Sequence, residues 1–194
     1  MEENALITAA ERQIAKKALL EALSQGADKV RLTLNKSLTE MYGTLDGHLD
    51  KVSRCLDRSL TACIFSDGKF GSFSTNRLDE EGICDFIRKS IGTVRMLAKD
   101  PCRDLPSRER TAGNAVSGKE LEVFDESFPA MDAHAKIEKA LKASSFGRLH
   151  PQGLISEEGE YSDSVFDTLV IDSLGLECRH SETSFEYGVE STVQ

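Results

Sequence analysis

The sequence predicts an α+β fold: an N-terminal helix, an antiparallel meander sheet covered by helices, and further antiparallel strands at the C-terminal end. Three observations carry this. Apolar residues between Ile7 and Leu23 recur at helical spacing. Between Val30 and Thr75 the pattern changes to alternation, broken by Asp46-Gly47 and Asp67-Gly68. Alternation returns from Leu154 to Val193, around Asp172-Ser173-Leu174-Gly175.

Residues 3 to 25 read as the first helix, with Ile7, Ala10, Ile14, Ala18 and Ala22 on one stripe and Gly26 at its C-terminal end. Val30, Leu32 and Leu34 alternate with Arg31, Thr33 and Asn35, as in a half-buried strand. Leu38 to Leu45, Leu49 to Leu56, Leu60 to Phe65 and Phe70 to Thr75 follow as further strands. The apolar continuity of Leu60 to Phe65 predicts burial on both faces.

A second helix is predicted from Asp79, a good N-cap, with Glu80 and Glu81 favourable at the positive end of the dipole. Ile83, Phe86, Ile87, Ile91, Val94 and Leu97 form its stripe, and Pro101 is expected to stop it. Residues 101–130 read as an irregular loop, with a short extended piece at Leu121 to Phe124. Met131 to Ser144 is a third helix with Ile137, Ala140 and Leu141 on one face, followed by Gly147 and Pro151. Leu154 to Tyr161, Val165 to Asp172 and Leu176 to Val193 are the last strands.

The chain has 194 residues, and 39% hydrophobic with 29% charged residues suits a folded domain. The net charge of -9 argues against a direct nucleic-acid surface, which needs clustered Lys and Arg. The densest basic stretch, Arg103 to Arg110, is interrupted by Asp104, Pro106 and Glu109 and reads as a solvated loop. No apolar run approaches the ~20 residues needed to cross a bilayer. Five cysteines at irregular spacing, after an acidic start at Met1 to Ala10, point to free thiols in a reducing cytoplasm. The sequence stops at Gln194 directly after an apolar strand residue, which leads us to expect residues 1–194 to be a fragment of a longer protein.

Candidate catalytic groups are sparse. His48, His134, His150 and His180 include no pair at zinc-helix spacing. Cys178-Arg179-His180 places two potential ligands on one strand face, but two are too few for a structural zinc, and a surface histidine beside a packed thiol is the preferred reading. Asp79-Glu80-Glu81 is accounted for by the helix start, and Glu157-Glu158 reads as a solvated strand or turn. Gly68 and Gly71 lack the Lys-Ser/Thr of a phosphate loop, and the serines fall in no nucleophile elbow. Cys102 has no histidine tied to it locally. No catalytic, cofactor-binding or metal-ligating residue is therefore assigned.

One ordered set of motifs resembles a known family. Gly26-Ala27-Asp28 follows the first helix, and an Asp-Gly dipeptide punctuates the meander. Asp67-Gly68-Lys69-Phe70-Gly71-Ser72-Phe73-Ser74-Thr75-Asn76 then resembles a family hairpin, and Asp100-Pro101-Cys102 ends the next helix. Asp172-Ser173-Leu174-Gly175 resembles a later turn in which Asp replaces the usual Asn. Together they resemble the N-terminal region of the PmbA/TldD family, often labelled modulators of DNA gyrase, on the PmbA-like side.

The resemblance implies a two-domain protein more than twice this length, whose mainly β C-terminal part lies outside this sequence. It implies a scaffold, dimerisation and substrate-chamber region of a zinc metallopeptidase or of its metal-free partner subunit, acting on small or unfolded peptides. Zinc would belong to the full-length protein or its partner, with no cofactor held by this chain. The implied partners are a second copy or a TldD-type subunit, and a peptide substrate. The alternative reading is a non-enzymatic protein-binding module, such as a modulator of DNA gyrase.

Overall fold

The computed structural model describes residues 6–111, 119–145, 147 and 152–194. Thr8 caps α1 (Ala9–Ser24) through a reciprocal box with Glu11, and this cap sets the start of the helix. Residues 3–5 of the expected helix lie outside the described residues. Ala15, Ala18 and Ala22 form its buried face, and their small side chains let the helix lie close to the sheet.

The strands are longer than the sequence pattern suggested. The two expected strands at Val30 to Leu34 and Leu38 to Leu45 are one, β1 (Lys29–Leu45). Nothing in Asn35-Lys36-Ser37 forces a turn, and β1 is paired on both sides through that stretch. β2 (His48–Ser66) likewise joins two expected strands, and β3 (Lys69–Thr75) follows the Asp67-Gly68 turn. β4 (Leu154–Asp172) fuses two more, and β5 (Glu177–Val193) closes the sheet. The order is β3-β2-β1-β4-β5, and every pairing is antiparallel.

Asp79 accepts a hydrogen bond from the Gly82 N–H at 2.8 Å and starts α2 (Glu80–Val94) as predicted. The helix ends at Val94 rather than at Pro101. Arg95 leaves it there, donating to the Gln25 carbonyl at 2.7 Å while its own carbonyl accepts from Lys69 Nζ at 2.6 Å. The 101–130 stretch holds short 3-10 turns at Arg108–Arg110, Lys119–Leu121 and Phe128–Ala130; residues 112–118, with Gly113 and Gly118, lie outside the described residues. Leu121 to Phe124 is not a strand, because Leu121 closes a 3-10 turn and Glu122 has φ 52. α3 (Ala133–Ala143) is capped by Asp132. Pro151 lies outside the described residues.

The helices cover one face of the sheet. α1 and α2 lie over one end, above Val30, Leu32, Leu34, Leu60, Ala62 and Ile64. α3 lies over the other end, where Ala140 packs with Tyr42 and Tyr161. The opposite face carries no helix among the described residues. This one-sided cover corrects the expectation for Leu60 to Phe65: Leu60, Ala62 and Ile64 are buried, whereas Thr61, Cys63 and Phe65 are only half-buried. One irregularity interrupts the central pairing, a bulge opposite Gly43 and Thr44 that leaves Asp50 as the extra residue of β2.

Candidate functional site

Two long sheet edges dominate the accessible polar backbone. In an antiparallel strand the N–H and C=O of alternate residues point to the same side. The Val30 carbonyl accepts from Ser173 N at 2.9 Å, beside β4, so the even residues of β1 face β4 and its odd residues face β2. Carried across the registers, this points the odd residues of β5 and the even residues of β2 from Val52 onward away from the sheet. The Thr183 N–H confirms the first, since it donates to the Val123 carbonyl of the preceding loop at 3.1 Å.

The edge of β5 already bonds the preceding loop at one point. Besides the Val123 bond, the Asp125 N–H donates to Thr183 Oγ1 at 2.9 Å. Beyond Thr183 the backbone of Phe185, Tyr187 and Val189 points outward by the same alternation. Their side chains stand on the helix-covered face, beside α3. Phe185 meets the Phe128 ring at 5.7 Å between centroids, and Tyr187 is 77% exposed. Glu182, Glu186 and Glu190 stand on the bare face. A strand with outward amides, apolar side chains on one face and acids on the other is a surface for an extended peptide.

A buried charge network fixes the adjacent α3. Lys136 is 4% exposed, and its Nζ lies 2.6 Å from Glu40 Oε2 and 2.8 Å from Asp163 Oδ2. Asp163 also accepts from the Tyr161 hydroxyl at 3.0 Å, which lies 3.1 Å from Met131 Sδ. Arg54 Nε reaches the other side of Glu40 at 3.1 Å. Burial pulls the Lys136 pKa down, but the hydrogen bonds to Asp163 and Glu40 outweigh it and hold the group above its ordinary value. Burial, then the bond to Asp163, pushes the Tyr161 hydroxyl up. Two cations against two carboxylates describe a neutral anchor rather than an acid–base pair poised near neutrality.

A second buried carboxylate ties down the N-terminal segment. Asp167 receives Arg179 through two bonds, at 3.0 and 2.6 Å, and the Ile7 N–H at 2.8 Å. Glu157, expected on a solvated strand or turn, is buried: Gly147 N donates to it at 2.8 Å and Ser191 Oγ lies at 3.3 Å. Its neighbour Glu158 is exposed, because the two alternate across the strand.

The other sequence candidates stay apart. Cys178 and His180 share the bare face, where burial raises the Cys178 thiol pKa, while Arg179 turns to Asp167 on the opposite face. His134 lies on exposed α3 surface 3.5 Å from Glu138, His48 starts β2, and His150 lies outside the described residues. Cys102 is exposed, and none of the five cysteines is joined in a disulfide. Among the described residues no three His, Cys, Asp or Glu side chains form a group able to hold a metal ion. No described helix is long and apolar enough to cross a membrane. Sequence reasoning missed Lys136 and Asp163. Lys136 precedes the buried Ala140 by one helical turn, which was a usable signal.

No protein-family model and no curated protein matches the chain. Solved structures do. A putative modulator of DNA gyrase from Bacteroides thetaiotaomicron is similar with TM-score 0.89 and 25% identity, over 97% of this chain and 42% of that one. A putative modulator of a DNA gyrase from Thermotoga maritima gives TM-score 0.64 and 14% identity, over 94% of this chain and 42% of that one. TldE from Thermococcus kodakarensis gives 0.64 and 12%, over 96% and 43%. The latter two are likenesses of fold. The chain spans about two-fifths of the length of these proteins.

Proposed function

From the premise that this chain is built as the PmbA/TldD-family proteins are built, we propose that it forms the N-terminal scaffold of such a protein. In this reading it supplies a wall of a peptide-binding chamber and part of a dimer surface. The whole protein is a metallopeptidase of the TldD type or its metal-free partner, and it processes small or unfolded peptides in the cytoplasm. The cysteines, none joined in a disulfide, and the acidic charge support that compartment and a protein or peptide ligand rather than nucleic acid.

The observation that carries the reading is the outward edge of β5. Backbone bonding is indifferent to side-chain sequence, which suits varied unfolded peptides. The loop carbonyl at Thr183 is the first rung of such a pairing, and Phe185, Tyr187 and Val189 offer apolar contacts further along.

The zinc implied by the family does not fit the residues described here, which bring no three ligands together. No hydrolytic step is derived from them. In this reading the metal is held elsewhere in the full-length protein or in a TldD-type subunit.

Tyr187→Pro tests the edge, because it removes one outward N–H while leaving the pairing of β5 with β4 in place. Fluorescence anisotropy with a labelled unstructured peptide should show at least about a tenfold loss of affinity, the scale of one or two lost hydrogen bonds. Tyr187→Thr keeps the N–H and separates loss of the ring from loss of the bond. Unchanged binding in Tyr187→Pro, with the sheet intact by circular dichroism, contradicts the proposal.

A second reading follows from two of the similar structures, which are putative modulators of DNA gyrase. There the same edge engages a folded protein, and the chain has no peptidase role. Purified gyrase that competes with peptide for the edge, with no peptide cleavage by the full-length product, would support it.

A further inference from the structure

The first half of β2 is a second long open edge. β3 pairs only with Leu60 to Ser66, so residues 48–59 have β1 on one side and no strand on the other among the described residues. This run is exposed throughout apart from half-buried Ser59. Val52 and Leu56 are 55% and 60% exposed, unusual for two aliphatic side chains on the same strand face. An unpaired, accessible strand without proline is a template for another strand.

The charges along this run are self-complementary in one register. Pair the strand antiparallel with itself about Arg54. Lys51 then faces Asp57, Val52 faces Leu56 and Ser53 faces Cys55, each twice by symmetry, while the bulged Asp50 stands outside the regular ladder. Arg54 meets its own copy on the axis, where each guanidinium already has Glu40 as a counter-charge at 3.1 Å. Moving the centre to Ser53 or Cys55 leaves no opposite-charge pair. The backbone agrees, because the even residues of β2 from Val52 onward point outward and the register about Arg54 sets even residues against even ones. β5 lacks this property: it has no Lys or Arg between 181 and 193, and centring it on Ser184, Glu186 or Gly188 sets glutamate against glutamate.

We propose that two copies of this chain join through β2 of each, antiparallel about Arg54, to form one continuous ten-stranded sheet that leaves both β5 edges free. The pairing deepens the dimerisation part of the function proposed above and rests on that reading for the expectation of a dimer. Its register stands on the charges alone. The surface is selective against strands with any other order of charge, since like charges placed opposite each other are destabilising.

The test is a charge swap in the 194-residue chain, read by sedimentation velocity. The unmodified chain should dimerise. Lys51→Asp or Asp57→Lys alone should raise the dimer dissociation constant about tenfold or more, because each sets two like-charged pairs at the interface. The double variant should recover the dimer. Ser53→Cys should also form a covalent dimer with the partner's Cys55 on mild oxidation, since those residues face each other at disulfide range.

If both single variants stay dimeric, the β2 assignment falls while a dimer through another surface remains. If the double variant does not recover, the register is wrong. Assemblies larger than a dimer point to head-to-tail pairing of β2 with β5 and overturn the proposal. A monomeric unmodified chain removes both this inference and the dimerisation role.

Discussion

Lys136 shows how one side chain can decide where a helix sits. An ammonium group at 4% exposure is tolerable only with counter-charges in place, and Glu40 and Asp163 provide them from β1 and β4. Lys136→Ala leaves Asp163, 2% exposed, without its cation. The expected cost is about 3–5 kcal/mol, the usual penalty for breaking a buried pair. Urea unfolding followed by circular dichroism measures it, and a cost below about 1 kcal/mol would mean that the pair is solvated. The helical stripe of α3 was legible in Ile137 and Ala140. The carboxylates were not, because Glu40 and Asp163 lie on strands far apart in sequence and only the register of β1 with β4 brings them together.

At the scale of elements, α3 depends on a glycine. Gly159 lies where β4 passes beneath the C-terminal turn of α3. A Cβ there would stand 2.7 Å from the Ala140 carbonyl oxygen, Ser144 Cβ and Thr44 Oγ1. Gly159→Ala must push the helix away, and the expected destabilisation is about 1–3 kcal/mol. Gly92 is the contrast, with nothing within 4 Å of a Cβ on exposed α2 surface, so Gly92→Ala should stabilise by about 0.5–1 kcal/mol. Thermal melts of the two variants should move in opposite directions. The second helix and the turns were legible because caps and glycines are local signals: Asp79, Asp46-Gly47 and Asp67-Gly68 act as read, whereas the Thr8 cap of α1 was not singled out in the sequence. Strand length was not legible. Asn35-Lys36-Ser37 and Asp57-Arg58-Ser59 resemble interruptions in the sequence, yet they sit within continuous ladders because the neighbouring strands continue past them.

The whole molecule is a two-layer α+β sheet whose helices occupy one face and whose two long edges stay available. That arrangement follows from where the apolar residues are. Even positions of β1 and odd positions of β4 carry the core, and the reverse positions carry Thr33, Asn35, Ser37, Thr39 and Ser162, Ser164, Thr168. The sequence foretold half-buried strands but not which edges stay open, since edge status depends on strand order. The fold matches a part of proteins more than twice as long.

The central claim is that β5 accepts an extended peptide through its backbone. Amide hydrogen exchange with and without a saturating unstructured peptide tests it most directly. The account predicts that the Phe185, Tyr187 and Val189 amides slow by about tenfold or more, because they alone gain partners, while Ser184 and Glu186, already paired to β4, change little. Saturation of peptide binding with no added protection at those three amides would contradict it.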